Sequence, residues 1–534
     1  MQPPLQWVFR SKLFRNALAR YQTALRSPRK AQEKLLLYIV KRNRKTAYGR
    51  KYGFSDIKTV REYQKRVPVV SYEDLQPYVD CMLQGMRNVL VKDKVVFFAT
   101  TSGSTSRPKL IPVTNTRRKQ LHQELLLWMF FLMKKKAVRK GVKGKTLYFA
   151  GPYHEDISQG GILMGSISGY MAWKTPFWAK AKMVVPPEVY NEMDFDKKTR
   201  IIALKALSTK NITQVGFAAP IEVILFFDYI KRHRRSLLNE LKRSGKRWRA
   251  RQLEKLDEFI PATIWPNLCL ANCIKSDTNL PYLDVLREKA GIPDLTIRDP
   301  GIYASEGRLT LGLTDDDRTG VVVAQENFFE FMEQKGKDEY KDPVTIDKVK
   351  EGRKYKVVVT TQEGLYRYDM GDVVEVVGFK GRLPAVRFVQ RDHFLNIVGE
   401  FCPENQLLAA MDAVEEQEGL GVKEFTFFPH TRDLEDRPRY EVLLELGGEA
   451  SDKSLRSFAK ALDEELKRRV QDYRQMREEF GRLGHLSVAV VEPGSYRELE
   501  KERLQRAGQP KPVRVAKDVS FRDRFSIVKR VVVG

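Results

Sequence analysis

Val95–Ala99, a short apolar and β-rich run, breaks off into TTSGSTSRPK from Thr100 to Lys109, and helical periodicity resumes from Arg117 to Lys136. Hydroxyl residues around Gly103 and a proline can join neither a core nor a regular element, so this stretch is expected to be a loop held between a strand and a helix. Small side chains there let backbone N–H and hydroxyl donors converge on an anion, and a helix opening just beyond would add the positive end of its dipole. The Gly-Lys-Ser/Thr ending of a Walker loop is absent. The competing reading is an ordinary solvated Ser/Thr turn.

The rest of the chain reads as alternating elements. Residues 5–45 are helical, with Leu13, Phe14, Ala17, Leu18, Tyr21 and Leu25 recurring at three and four. Strand candidates at 147–150, 214–217 and 296–297 alternate with helix candidates at 221–231 and 283–290, a pattern of α/β domains. Residues 354–379 turn to paired strands, and past 384 come strands at 424–428, 440–446 and 486–491 with helices at 451–480 and 495–505. The expected architecture is an α/β large N-terminal domain, 1–388, and a smaller mobile α+β C-terminal domain, 389–534.

The longest apolar stretch, Leu125–Met133, is nine residues, against about 20 for a membrane span. Arg10, Lys12, Arg15 and Arg20 interrupt any secretory core. Cys81, Cys269, Cys273 and Cys402 are too few for a disulfide framework, and Cys269 with Cys273, spaced as on a helix, lack two further zinc ligands nearby. A cytoplasmic protein is expected. The net charge of +27 raises nucleic-acid and anionic-membrane readings. Its densest block, 231–255, carries Leu237, Leu238, Leu241, Trp248 and Leu253 as an apolar stripe under a solvated basic face, with no nucleic-acid signature. The aromatics Tyr148, Phe149, Tyr153, Tyr170, Trp173, Phe177 and Trp178 read as core in preference to a pocket.

Thr101-Ser102-Gly103-Ser104-Thr105-Ser106-Arg107-Pro108-Lys109 closely resembles the phosphate loop of the adenylate-forming superfamily, with Ser106 where those enzymes usually have Gly. Gly301-Ile302-Tyr303-Ala304-Ser305-Glu306-Gly307 resembles that superfamily's Tyr-Gly-x-Thr-Glu segment, one position shorter between Tyr and Glu. Gly364–Asp372 resembles its Tyr-Arg-x-Gly-Asp segment, and Phe388–Glu400 its interdomain hinge. With KEFTFFPH, RYEVLLEL and HLSVAVVEPGSYRELEKERLQRAGQPKPVRV, the chain from about Leu35 onward is similar to the plant auxin-responsive acyl-acid amido synthetases, the Gretchen Hagen 3 family.

That resemblance implies a ligase that uses ATP and Mg2+ to convert a carboxylic acid into an acyl-adenylate and then transfers the acyl group to an amine, typically of an amino acid. It implies that Thr101, Ser102, Gly103, Ser104 and Thr105 cradle phosphate, Tyr303 lies against adenine, Glu306 holds magnesium and Asp372 holds the ribose hydroxyls. Arg391 and Asp392 would form the hinge, and Lys511, in the loop Gln509–Arg514, would assist adenylation. Two alternatives stand beside it: an acyl-CoA or acyl-protein ligase with a thiol acceptor, and a catalytically silent basic scaffold.

Overall fold

The computed structural model describes residues 9–101, 109–133, 135–217, 220–275, 281–313, 318–336, 339–391, 394–431, 437–496, 498–499, 513–516 and 519–532. They fall into two compact units, 9–101 with 109–391, and 394–532.

The first unit opens on two helices, Lys12–Arg26 and Pro28–Asn43, where the periodicity suggested one. The break is chemical: Pro28 cannot donate to a preceding turn and sits at the first position of the new helix. Phe14, Ala17, Tyr21 and Ala24 form the buried stripe of one helix, and Leu36, Ile39 and Val40 that of the other. Gln32, also buried, donates from Nε2 to the carbonyls of Ala324 and Asn327, both at 2.6 Å, and accepts from the Phe329 N–H at 2.7 Å. This bolts the second helix to a large antiparallel sheet ordered Thr310–Gly312, Thr319–Val322, Leu383–Arg391, Tyr368–Lys380, Lys354–Thr360, Phe328–Gly336 and Glu339–Tyr340.

A parallel sheet in the same unit runs Lys145–Tyr148, Ile212–Gly216, Leu270–Asn272 and Thr296–Arg298. Cys269 and Cys273 bracket its third strand and so do not share a helical face. A third sheet corrects the expected neighbourhood of the Thr100–Lys109 loop. Val95–Thr101 pairs antiparallel with Lys109–Thr114, in register from Phe97↔Val113 to Thr101↔Lys109, with a register shift between Val95 and Phe97. Helix Asn115–Leu132 starts only after that second strand, capped by Thr114, whose hydroxyl accepts from the Arg117 N–H at 3.1 Å. The β-branched and apolar run Leu110–Thr114 favours a strand, so no helix N-terminus directly follows the loop.

The basic block forms two helices, Arg234–Arg243 and Arg247–Glu254, separated by Gly245 at φ +84°. Leu237, Leu238, Leu241 and Leu253 are buried as the stripe requires, but Trp248 is 64% exposed and is not part of it. Nor are all the arginines solvated. Arg234 donates to the carbonyls of Leu253, Glu254 and Leu256, and Arg249 to those of Leu207 and Ile264, closing helix ends that would otherwise lack donors.

In the second unit a four-stranded sheet runs Val422–His430, Arg439–Leu446, Ser487–Val491 and Ile527–Val532, accompanied by helices Glu404–Glu418 and Asp452–Arg469. The helix expected over 451–480 stops at Arg469 because Val470 takes extended backbone, φ −122° and ψ 101°. Glu400 organises the turn before the first helix, accepting from the N–H groups of Ile397 and Val398 and from the Tyr440 hydroxyl.

Candidate functional site

Strand Thr296–Arg298 of the parallel sheet leads at its carboxyl end into the Gly301–Gly307 segment, the position where ligands collect in open α/β sheets. Asp299 shapes the exit. Its buried carboxylate accepts from the N–H groups of Gly301 at 2.6 Å and Lys275 at 2.8 Å. Gly301 sits at φ +94°, and a Cβ there would lie 2.6 Å from the Thr310 carbonyl, so no other residue fits without displacing backbone. Tyr303–Ala304 then pairs antiparallel with Gly307–Arg308, leaving Ser305 and Glu306 at the turn.

Glu306 is 3% exposed. Its charge reaches Tyr72, whose phenol is pushed up to about 12, chiefly by burial and then by Asp80, Glu306 and Glu73. The Tyr72 hydroxyl accepts from the Leu110 N–H at 2.7 Å. Lys109, the last residue of the Thr101–Lys109 motif, places its ammonium 5.6 Å from the Tyr72 ring centroid and 5.9 Å from that of Tyr368, and donates to the Tyr368 hydroxyl at 3.3 Å. The Glu306 carboxylate can take a hard cation and the Lys109 ammonium an anion.

Asp372 lies on Tyr368–Lys380 opposite Arg391 and is 5% exposed. Within the same motif Arg367 is a staple: its guanidinium pairs bidentately with Glu330, at 2.9 and 3.0 Å, and donates to the carbonyls of Gln64 and Val67. Tyr303 has the Arg308 guanidinium 4.9 Å from its ring centroid, and its buried hydroxyl has no hydrogen-bond partner among the described residues.

Beneath this segment is a buried charged cluster that the sequence analysis did not single out. Glu124, on helix Asn115–Leu132, pairs with Arg117 at 2.6 Å and with Arg308 at 3.6 Å. Arg308 also donates to the Pro300 carbonyl at 2.7 Å. Glu326 and Glu363 complete the group: burial, foremost, and the charge of Glu124 push Glu326 up to about 8, with Arg20 and Arg117 opposing. Burial raises Glu363 to about 7 against the pull of Arg117. The only signals in the sequence are a lone acid at the edge of Leu125–Met133 and another inside the Gln362–Gly364 turn.

The remaining expected site residues lie at or beyond the limit of the described structure. Thr101 ends its strand opposite Lys109, and Arg391 ends Leu383–Arg391, in both cases without a described side chain. Ser102, Gly103, Ser104, Thr105, Asp392 and Lys511 fall outside the described residues. Among those described, no group of three or more His, Cys, Asp or Glu forms a metal cage, and no helix is long and apolar enough to cross a membrane. Of the aromatics read as core, Tyr170 is 1% exposed but Phe177 is 85% exposed.

Sheet and segment together define an α/β chain with a carboxyl-end site and a separate α+β unit. Family models for the GH3 N-terminal, central and C-terminal domains match residues 17–295, 320–391 and 405–520, in that order. The chain belongs to the GH3 family. It is 25% identical over 541 residues to the indole-3-acetic acid-amido synthetase GH3.10 of Arabidopsis thaliana, covering 90% of each chain. It is 26% identical over 479 residues to the jasmonoyl–L-amino acid synthetase JAR4 of Nicotiana attenuata, covering 81% of this chain and 82% of that one. A solved GH3.15 acyl acid amido synthetase shares its fold, with a TM-score of 0.63 at 22% identity over 96% of both chains.

Proposed function

We propose that this chain uses ATP to adenylate a carboxylic acid and passes the acyl group to an amine, an amino acid in the first instance. The observation that supports this most is the match of the family's N-terminal, central and C-terminal models at residues 17–295, 320–391 and 405–520, with Glu306 buried at the carboxyl end of the parallel sheet. On this reading Thr101–Thr105 with Lys109 hold phosphate, Asp372 the ribose hydroxyls and Tyr303 the adenine. Arg391 and Asp392 serve as the hinge between domains 1–388 and 389–534, and Lys511 offsets the charge developing on the attacked carboxylate. Glu306 fits Mg2+, which takes one or two protein carboxylates and completes its octahedron with phosphate and water oxygens. Bound there, the ion would draw charge from the phosphates. The chain's own groups orient acid and nucleotide so that attack is intramolecular in effect, and domain closure excludes water. The four unbonded cysteines suit a reducing, cytosolic setting.

A panel of carboxylic acids assayed for ATP-dependent pyrophosphate release, with mass analysis of the product, tests the proposal. An amide adduct is expected with an amino acid and none with coenzyme A. A thioester in place of the amide would make it a thiol-acceptor ligase, and absence of ATP binding would leave the scaffold reading.

A further inference from the structure

The excess positive charge is not used by any of the residues above, and part of it has a definite place. Lys143, Lys145, Lys182 and Lys210 converge on an open groove of about 450 Å³ in the first unit, with Ser208 and Thr209 adding hydroxyls to its wall, and no Asp or Glu lines it. Lys145 opens the strand Lys145–Tyr148, and Lys210 stands just before Ile212–Gly216. The groove therefore lies at the amino ends of the parallel strands, while the Gly301–Gly307 segment follows the carboxyl end of the same sheet. Strands of four and five residues put about 13–17 Å between the two, so the groove is separate from the candidate active site.

Four lysines line a wall without a carboxylate, the Lys182 ammonium donating to the Lys143 carbonyl at 3.0 Å, and lysines used as point charges suit phosphate, which accepts from several directions at once. A pocket of this size holds a small multiply phosphorylated group. The flanks indicate where that group is carried. Phe177, at 85%, and Trp248, at 64%, are the two most exposed large hydrophobic side chains among the described residues. Phe177 precedes the groove-lining Ala181 by one helical turn, and Trp248 stands against the groove-lining Lys210. The Ala181 N–H donates to the Phe177 carbonyl at 3.1 Å, and the Lys210 ammonium stands 5.7 Å from the Trp248 ring centroid. Bare aromatics beside a lysine cluster match the chemistry of a bilayer interface, where rings settle at headgroup depth and cations meet anionic lipid.

We propose that this face docks the protein on an anionic membrane, with a multiply phosphorylated lipid headgroup in the groove held by Lys143, Lys145, Lys182 and Lys210, and with Phe177 and Trp248 entering the interface. The full chain should co-sediment with phosphatidylcholine vesicles containing phosphatidylinositol bisphosphate, more weakly with phosphatidylserine vesicles of equal charge, and not with phosphatidylcholine alone. Removing three of the lysines, as Lys143→Ala, Lys182→Ala and Lys210→Ala together, should weaken binding on the order of 10²-fold at low salt. Phe177→Ser with Trp248→Ser should weaken it at every salt concentration. A control losing equal charge elsewhere, Arg61→Ala, Lys65→Ala and Lys380→Ala at exposed positions of other elements, should bind as the unaltered chain does, with thermal unfolding of every variant monitored alongside. An equal loss in that control would reduce the effect to net charge and overturn the site. Tight binding of soluble inositol phosphate without vesicle recruitment would overturn the membrane, and so would lysine-dependent retention on RNA with no vesicle binding.

Discussion

Arg367 sits inside the motif that resembles a nucleotide-binding segment, yet its geometry makes it a structural residue, and one substitution separates the two roles. Arg367→Met keeps the length and the Cβ, so the backbone at φ +47° is no more strained than before. It removes two hydrogen bonds to Glu330 and those to the carbonyls of Gln64 and Val67. Glu330 is 1% exposed and keeps only the Gln64 amide as a charge-neutral partner, so its carboxylate is left buried without a cation. Breaking a buried pair from one side costs about 3–5 kcal/mol, whereas replacing both members by apolar groups is often close to neutral. Urea unfolding followed by tryptophan fluorescence should therefore show Arg367→Met destabilised by about that amount, and Arg367→Met with Glu330→Leu should recover most of it. ATP affinity of the folded fraction should be unchanged in both. A single variant as stable as the unaltered chain but defective in ATP binding would refute the staple and return Arg367 to the nucleotide.

Glu363 gives a prediction with a sign. Its folded value is raised from 4.5 to about 7. The folded state then holds a proton that the unfolded state has lost, and stability falls as pH rises through that interval, by roughly 3 kcal/mol in all. Glu363→Gln should match the unaltered chain at pH 4.5 and exceed it at pH 8 in urea titrations; a pH-independent difference would contradict the assignment. Lys511→Ala should depress acid-dependent pyrophosphate release by about 10²–10³-fold while sparing conversion of a supplied acyl-adenylate to amide, and equal losses in both half-reactions would point to a structural lysine. Arg249→Ala, which frees the Leu207 and Ile264 carbonyls, should cost about 1.5–3 kcal/mol in thermal or urea unfolding. Arg235→Ala and Arg247→Ala, both on exposed positions, should cost nothing measurable.

What could be read in the sequence was what is local. Glycines and polar turns mark the Gly301–Gly307 and Gly364–Asp372 segments, and the structure carries both beside strands because turn chemistry is set within a few residues. Lys109–Thr114 was not expected as a strand, since Pro112 inside an otherwise apolar run argues against one; the residues between it and Thr101 lie outside the described structure. Leu270–Asn272 is a three-residue strand whose identity comes only from its neighbours in the parallel sheet. The cluster of Glu124, Glu326 and Glu363 was beyond reach for a different reason. Three carboxylates scattered along the chain become one electrostatic group only after folding, and no local pattern distinguishes them from surface acids. Trp248 misled because an amphipathic helix pattern does not say which large residue falls at the rim of the stripe.

Gln32 has a consequence for how the protein is made. The carbonyl of Ala324 that it grips lies 292 residues further along the chain. At about 5–20 residues per second, a ribosome takes roughly 15–60 s to deliver that partner. Throughout this interval the stripes Phe14–Ala24 and Leu36–Val40 have emerged with nothing of the large sheet to cover them. Two short amphipathic helices cannot hold themselves together in water over such a time. Residues 12–43 thus wait for a partner made much later, and chaperones and proteases would compete for them during synthesis.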